Sequence, residues 1–196
     1  MRGTHRCLVF VIAAASLAAP ALAGDVNLNF YPASARWLDK DTWEPVDTHY
    51  AFGGTVDFGE SGWPIHIALG LHGSSGVKEY DSGSVDDLTM GVGELSFGIA
   101  KVWETKGRAR PFVSGGLSFV SASLEVDSVS GGTLDEDDDS IGGWIEGGIY
   151  WRLMPHFNLG LHGRILAGSD ITLLGVEGDA DYFQFGPMIG WSWPPR

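Results

Sequence analysis

The sequence predicts an all-β chain folded as an eight-stranded antiparallel up-and-down transmembrane β-barrel, and three observations carry that expectation. Apolar residues recur at every second position through most of the chain after residue 24, and no stretch there holds a helical period. The connections between the alternating segments are short and long by turns. Five tryptophans, Trp63, Trp103, Trp151, Trp191 and Trp193, fall on the apolar parity beside a short connection or the C-terminus, as an aromatic girdle at one membrane interface would require.

The first element is a leader. Arg2 and Arg6 precede an apolar run from Cys7 to Ala19, and Ala21-Leu22-Ala23 supplies small residues at a cleavage site. This predicts a secretory signal peptide over 1–23 and one barrel domain over 24–196. The run is too short to span a bilayer, which takes about 20 apolar residues. Cleavage removes the only cysteine, Cys7, and with it all thiol chemistry. The chain carries 12 basic and 25 acidic residues, a net charge of −13; without Arg2 and Arg6 ten basic residues remain and the charge is −15. Such a surface repels a phosphate backbone, so nucleic-acid binding is excluded as a main task. An apolar content of 44% excludes a disordered acidic tail.

The strands follow in order. The first, near 26–37, alternates irregularly. The second sets Tyr50, Phe52, Val56 and Phe58 against Ala51, Gly53, Thr55 and Asp57, and the third sets Trp63, Ile65, Ile67, Leu69 and Leu71 against His66, Ala68, Gly70 and His72. The fourth and fifth, near 88–103 and 110–126, are less regular, and a phase slip near Val120 predicts a bulge. The sixth, 141–153, opposes Ile141, Ile145, Ile149 and Trp151 to Trp144, Glu146, Tyr150 and Arg152. Phe157, Leu159, Leu161 and Ile165 oppose Asn158, His162 and Arg164 in the seventh, and the eighth runs over 182–193. Most approach the roughly 10 residues of a tilted membrane-crossing strand.

The short connections are 59–62, 104–109 and 154–156; the long ones, 39–48, 74–87, 127–140 and 168–181, hold 18 of the 25 acidic residues and only Lys40 and Lys78 as cations. Lys101, Lys106, Arg108, Arg110 and Arg196 gather at the opposite, short-turn end. A water-soluble barrel of lipocalin type shares the alternation. The Gly-, Ser- and His-rich polar face, poor in Lys, suits a crowded lumen better than a wet surface, and the one-sided tryptophans and the leader weigh the same way.

On these residues the chain resembles the small eight-stranded outer-membrane proteins of Gram-negative bacteria, the group holding the OmpA transmembrane domain, OmpX and OmpW. The segments WLDKDTWEPV (37–46), YWRL (150–153) and FNLGL (157–161) are similar to a less characterised subgroup of such barrels. The resemblance implies an outer-membrane location with periplasmic termini, extracellular acidic loops, and insertion by the barrel-assembly machinery. Such chains often end on an aromatic residue; here Pro194-Pro195-Arg196 follow Trp193, so the assembly signal is expected within 185–193.

Three candidate sites emerge. Pairing of the sixth and seventh strands across 154–156 puts Glu146 opposite Arg164, a buried ion pair that Glu94, Arg152, His162 and, at its margins, His66 and His72 would extend into a lumen charge network. The network either plugs the barrel or, as the OmpA resemblance allows, switches a narrow pore. In the acidic run 135–139, Asp135, Asp137 and Asp139 are weak metal candidates, and an acidic loop facing anionic lipopolysaccharide would need Ca²⁺ or Mg²⁺ between them; no Asp-x-Asp-x-Asp-Gly pattern is present, so a solvated loop is expected. His72 and Ser74 share a strand face in the manner of lipid A deacylases, but no third group orients the histidine. Ile171, Leu173, Leu174 and Val176 form an apolar patch in the last long loop, suited to an extended hairpin or a cap on the lumen. The expectation is a monomeric barrel with a structural, envelope-integrity or surface-interaction role, without cofactor or catalysis. A narrow conduit, opening through the lumen or sideways into lipid, is the first alternative, and a lipid-modifying enzyme the second.

Overall fold

In a computed structural model the chain is described over residues 24–60, 62–79, 85–128 and 133–193; the expected leader and the tail after Trp193 lie outside the described residues. The alternating segments form β1 (Asp25–Leu38), β2 (Thr48–Gly59), β3 (His66–Glu79), β4 (Val85–Val102), β5 (Ala109–Ser128), β6 (Thr133–Arg152), β7 (Phe157–Ala167) and β10 (Tyr182–Trp193). A one-turn helix, α1 (Lys40–Trp43), joins β1 to β2, and a small hairpin, β8 (Asp170–Leu173) with β9 (Val176–Asp179), stands between β7 and β10. Consecutive barrel strands pair antiparallel and β1 pairs with β10, so the sheet closes on itself. Closure satisfies the backbone hydrogen bonds that an open edge would leave bare in lipid.

The pleat sorts the two faces. Phe97, Leu117 and Ile141 are 61%, 64% and 64% exposed on the outer wall, whereas Arg36 and Arg164 are 0% and Glu146 1% exposed inside. An apolar outside around a charged inside inverts the pattern of a water-soluble barrel and removes the lipocalin alternative.

The structure corrects four local expectations. Residues 74–79 and 133–140, read as loop, continue β3 and β6, and β5 runs on to Ser128. The reading stopped each strand where apolar residues stopped, but backbone pairing continues in water without them. The run 135–139 therefore lies on β6, opposite Ser121 to Glu125 of β5. No bulge occurs at Val120: the β4–β5 and β5–β6 registers pass through it unbroken. What changes there is the lumen, which turns apolar, so that Val120, Ala122 and Leu124 point inward in the positions that Ser118 and Gly116 hold lower down. The bulge lies instead in β1, where both registers shift across Pro32-Ala33. Before it the odd residues Asn27, Asn29 and Tyr31 face inward; after it the even residues Ser34, Arg36 and Leu38 do. Proline cannot donate to the ladder, which makes this the natural place for the extra residue.

The interior is layered. Nearest the long loops, Trp43, Val46, Ile171 and Leu173 pack with the upper lumen residues Val120, Ala122 and Leu124 in one apolar cluster. A charged belt lies beneath it. Tyr31, Phe112, Tyr150 and Met188, with Val102 against them, form a second apolar layer toward the short turns. Gly98 and Gly116 face each other across β4 and β5, and a Cβ on either would collide with the opposite backbone; the space they leave also admits Trp144, whose Nε1 donates to the Leu117 carbonyl at 3.1 Å.

Candidate functional site

The four charged residues of the belt stand on four strands, β1, β4, β6 and β7. Glu146 on β6 and Arg164 on β7 are direct partners in the ladder, and Arg164 Nη1 lies 3.1 Å from Glu146 Oε2. Arg164 Nη2 reaches Glu94 of β4, and its Nε donates to Tyr182 Oη at 2.9 Å. The guanidinium lies 4.1 Å from the Trp144 ring centroid. Glu94 also accepts from Ser118 and from Tyr182. Glu146 accepts from Tyr31 Oη at 2.6 Å, and His162 Nδ1 stands 3.3 Å from its Oε1.

Arg36, brought inward by the β1 bulge, is a second cation in this belt. Its Nε and Nη2 donate to Gln184 Oε1 at 3.0 and 2.8 Å, its Nη1 donates to Ser74 Oγ at 3.1 Å, and its Nη2 is 3.9 Å from Glu94 Oε2. It also stacks over Tyr182 at 3.8 Å. Two guanidiniums thus balance two carboxylates. Arg36 is absent from the sequence-derived network because alternation over 26–37 is irregular and assigns it no face. The signal that finds it is Pro32-Ala33, a proline in a strand where alternation breaks down.

The sequence-derived residues separate into groups. Glu94, Glu146, His162 and Arg164 come together in the belt. His72 lies beside it, stacked on Tyr31 at 5.4 Å, and neither of its ring nitrogens has a hydrogen-bond partner. Arg152 and His66 do not join: Arg152 lines a cavity at the short-turn end, and His66 Nδ1 pairs there with Asp57 Oδ1 at 3.0 Å. Shared parity put all of them in the lumen, but their positions along the strands separate them. The His72–Ser74 pairing is also corrected, since Ser74 Oγ lies 3.2 Å from His49 Nδ1 and accepts from Arg36, with no bond to His72. Trp63, Trp103, Trp151, Trp191 and Trp193 are all between 37% and 51% exposed at the short-turn end.

The long-loop mouth is closed by α1 and the β8–β9 hairpin. Trp43 Nε1 donates to the Asp179 carbonyl at 2.7 Å, and Asp179 N donates to Thr42 Oγ1 at 3.0 Å. Glu136 and Asp138 of β6 accept from the backbone of the hairpin, Leu174 N in its turn to Glu136 Oε2 at 2.8 Å and Thr172 N of β8 to Asp138 Oδ2 at 2.6 Å. Asp181 accepts from Gly168 N, Ser169 N and Ser169 Oγ. Ile171 and Leu173 point into the apolar cluster while Leu174 and Val176 stay exposed, so half of the expected patch caps the lumen. Burial, with the carboxylates of Asp181, Asp170 and Asp39 around it, raises the Asp179 carboxyl above its usual range. Asp135, Asp137 and Asp139 occupy the opposite, exposed face of β6. Among the described residues no group of three or more His, Cys, Asp or Glu side chains is placed to hold a metal ion.

No protein-family profile matches the chain, and no curated protein matches it. Solved structures do. The chain is similar to the attachment invasion locus protein Ail of Yersinia pestis, solved with the heparin analogue sucrose octasulfate, with 10% identity and a TM-score of 0.59 over 87% of this chain and 99% of that one. It is also similar to the outer membrane protein OprG of Pseudomonas aeruginosa, with 14% identity and a TM-score of 0.53 over 87% of this chain and 96% of that one. Likeness at these identities establishes the fold, the closed eight-stranded barrel of small outer-membrane proteins.

Proposed function

We propose that the chain is a monomeric outer-membrane barrel with a closed lumen, serving as an envelope scaffold and surface-interaction protein without catalysis. One observation carries this reading: the two-arginine, two-glutamate belt is almost fully buried between apolar layers that close the lumen on both sides. An eight-stranded barrel is only wide enough for side chains to fill it, and here they do. The exposed apolar wall and the tryptophans at one end support membrane placement, with the termini and short turns in the periplasm and the acidic loops outside. Outside, the acidic loops face anionic lipopolysaccharide, with Ca²⁺ or Mg²⁺ between them. The barrel-assembly machinery reads the segment 185–193 during insertion.

The second reading, a gated pore, draws on the sharing of Arg164 between Glu94 and Glu146, which offers the guanidinium two partners. Planar-bilayer conductance of the refolded mature chain separates the two, after slower gel migration on heating has shown that a barrel formed. The plugged barrel stays silent, both as the native chain and as Glu146→Ala. Discrete openings altered by that substitution would replace the scaffold with the pore.

A further inference from the structure

In this acidic chain the cations outside the lumen are not scattered. Lys101, Lys106, Arg108, Arg110 and Arg152 all lie at the ends of β4, β5 and β6 or in the turns that join them, and Glu104 is the only carboxylate in 101–110 and 152–155. The turns are adjacent because β5 and β6 pair to their ends, with Ala109 opposite Trp151 and Arg152 N donating to the Arg108 carbonyl at 3.0 Å. Between them runs a groove of about 340 Å³, lined by Arg108, Arg110, Arg152, Leu153, Met154 and Pro155.

The groove has a fixed floor and a mixed rim. Arg110 is held in place: its Nη1 donates to the carbonyls of Thr105, Gly107 and Ala109 at 3.2, 2.7 and 3.1 Å, and Glu104 Oε2 lies 2.9 Å from its Nε. Glu104 offsets one cation, and Lys106 and Arg108 stand in the turn beside it. Beside the guanidiniums, Met154 is 65% exposed and Leu153 is also exposed, and Trp103 and Trp151 stand on the outer wall at the same end. Forked cations next to exposed apolar side chains, at the level of the tryptophans, match a molecule that carries a phosphate at its head and hydrocarbon behind it.

We propose that this groove binds the phosphate headgroup of an anionic phospholipid in the inner leaflet of the membrane, with Lys106 and Arg108 holding the phosphate and Leu153 and Met154 meeting the first acyl carbons. This rests on the membrane placement proposed above and assigns the short-turn end a ligand. An anionic lipid is repelled by the acidic remainder of the protein, so the groove fixes both where the lipid sits and which leaflet supplies it.

The test is native mass spectrometry of the folded mature chain in detergent with equal amounts of phosphatidylglycerol and phosphatidylcholine. Each basic residue near a membrane surface contributes about a fivefold preference, so Lys106→Gln with Arg108→Gln should lower retained phosphatidylglycerol roughly 25-fold. Neutralising Lys40 and Lys78, at the opposite end, should leave retention unchanged. Equal retention of the two lipids by the native chain would overturn the proposal, as would equal losses from the two double variants, which would make it an effect of net charge alone. Displacement of the lipid by millimolar inorganic phosphate would reassign the groove to free phosphate. A heat-modifiable barrel that fails these tests leaves the membrane reading intact, whereas a chain that does not insert into liposomes removes that reading first.

Discussion

Arg164 sits at the junction of the belt, and removing it should cost more than removing either of its carboxylate partners. Glu146→Ala leaves Arg164 with Glu94, Tyr182 and the Trp144 ring, so the stranded charge keeps most of its company. Arg164→Met strands two carboxylates at once: Glu146 keeps Tyr31 and the His162 ring nitrogen at 3.3 Å, and Glu94 keeps Ser118, Tyr182 and an Arg36 guanidinium at 3.9 Å. Breaking a buried pair by removing one member costs about 3 to 5 kcal/mol, which puts Glu146→Ala near about 3 and Arg164→Met at or above about 5. The double substitution Glu146→Ala with Arg164→Met restores charge balance, with Arg36 facing Glu94, and should cost less than the sum of the single changes by about 1 to 3 kcal/mol. Urea unfolding in lipid vesicles, followed by tryptophan fluorescence and by gel migration, measures all three. Additive costs would show that the two side chains do not share one network. A cost below about 1 kcal/mol for Arg164→Met would show that it is neither buried nor paired as described.

The lid supplies the other predictions. Glu136→Ala with Asp138→Ala removes the acceptors for Leu174 N and Thr172 N, each worth about 0.5 to 1.5 kcal/mol, so amide exchange over β8 should accelerate several-fold while exchange in β7 stays constant. Leu174 holds φ at 53° in the two-residue turn before Gly175, at φ 73°, and is exposed. Leu174→Asn should therefore slow exchange across β8–β9 by relieving about 1 kcal/mol of backbone cost. Asp179 has a raised folded pKa, so its contribution to lid stability is present below its ordinary value of 3.8 and is lost as pH rises through the raised value. Asp179→Asn should accordingly slow lid exchange at pH 7, and its difference from the native chain should vanish as pH falls below that window.

Much of this was legible because a barrel wall repeats one rule. Strands read from two-residue alternation, such as 157–165 and 182–193, contain no bulge, and the Glu146–Arg164 opposition follows from counting back from the 154–156 turn. What was not legible depended on events that break the period. Pro32-Ala33 reverses the parity of β1 and brings Arg36 into the belt, and nothing in Arg36's immediate neighbours announces this. Val120, Ala122 and Leu124 are apolar yet face inward, because the lid above them excludes water and lipid alike. A rule that equates apolar with outward fails wherever the lumen is capped. The strand extensions were missed for a related reason: pairing above the membrane needs backbone partners, not apolar side chains. The acids at 135–139 also divide by parity, with Glu136 and Asp138 serving the hairpin while Asp135, Asp137 and Asp139 face away.

The layering bears directly on what a switch in the belt can achieve. A conducting path must pass three obstacles: the lid cluster around Trp43 and Ile171, the belt, and the layer of Tyr31, Phe112, Tyr150 and Met188. Moving Arg164 from one glutamate to the other opens only the second. The lid is held by hydrogen bonds from β6 and α1 that do not involve Arg164, and Met188 is fully buried on the far side. Independent closures multiply: if each opens at a cost of only about 2 kcal/mol, the open fraction at one is about one in thirty and at all three together roughly one in thirty thousand. Among the described residues Tyr31 is the direct link, since its hydroxyl donates to Glu146 while its ring belongs to the lower layer. Tyr31→Phe severs that link without emptying the layer. In a plugged barrel it should cost stability and leave the bilayer silent, and openings that appear in Tyr31→Phe alone would show that belt and lower layer move as one gate.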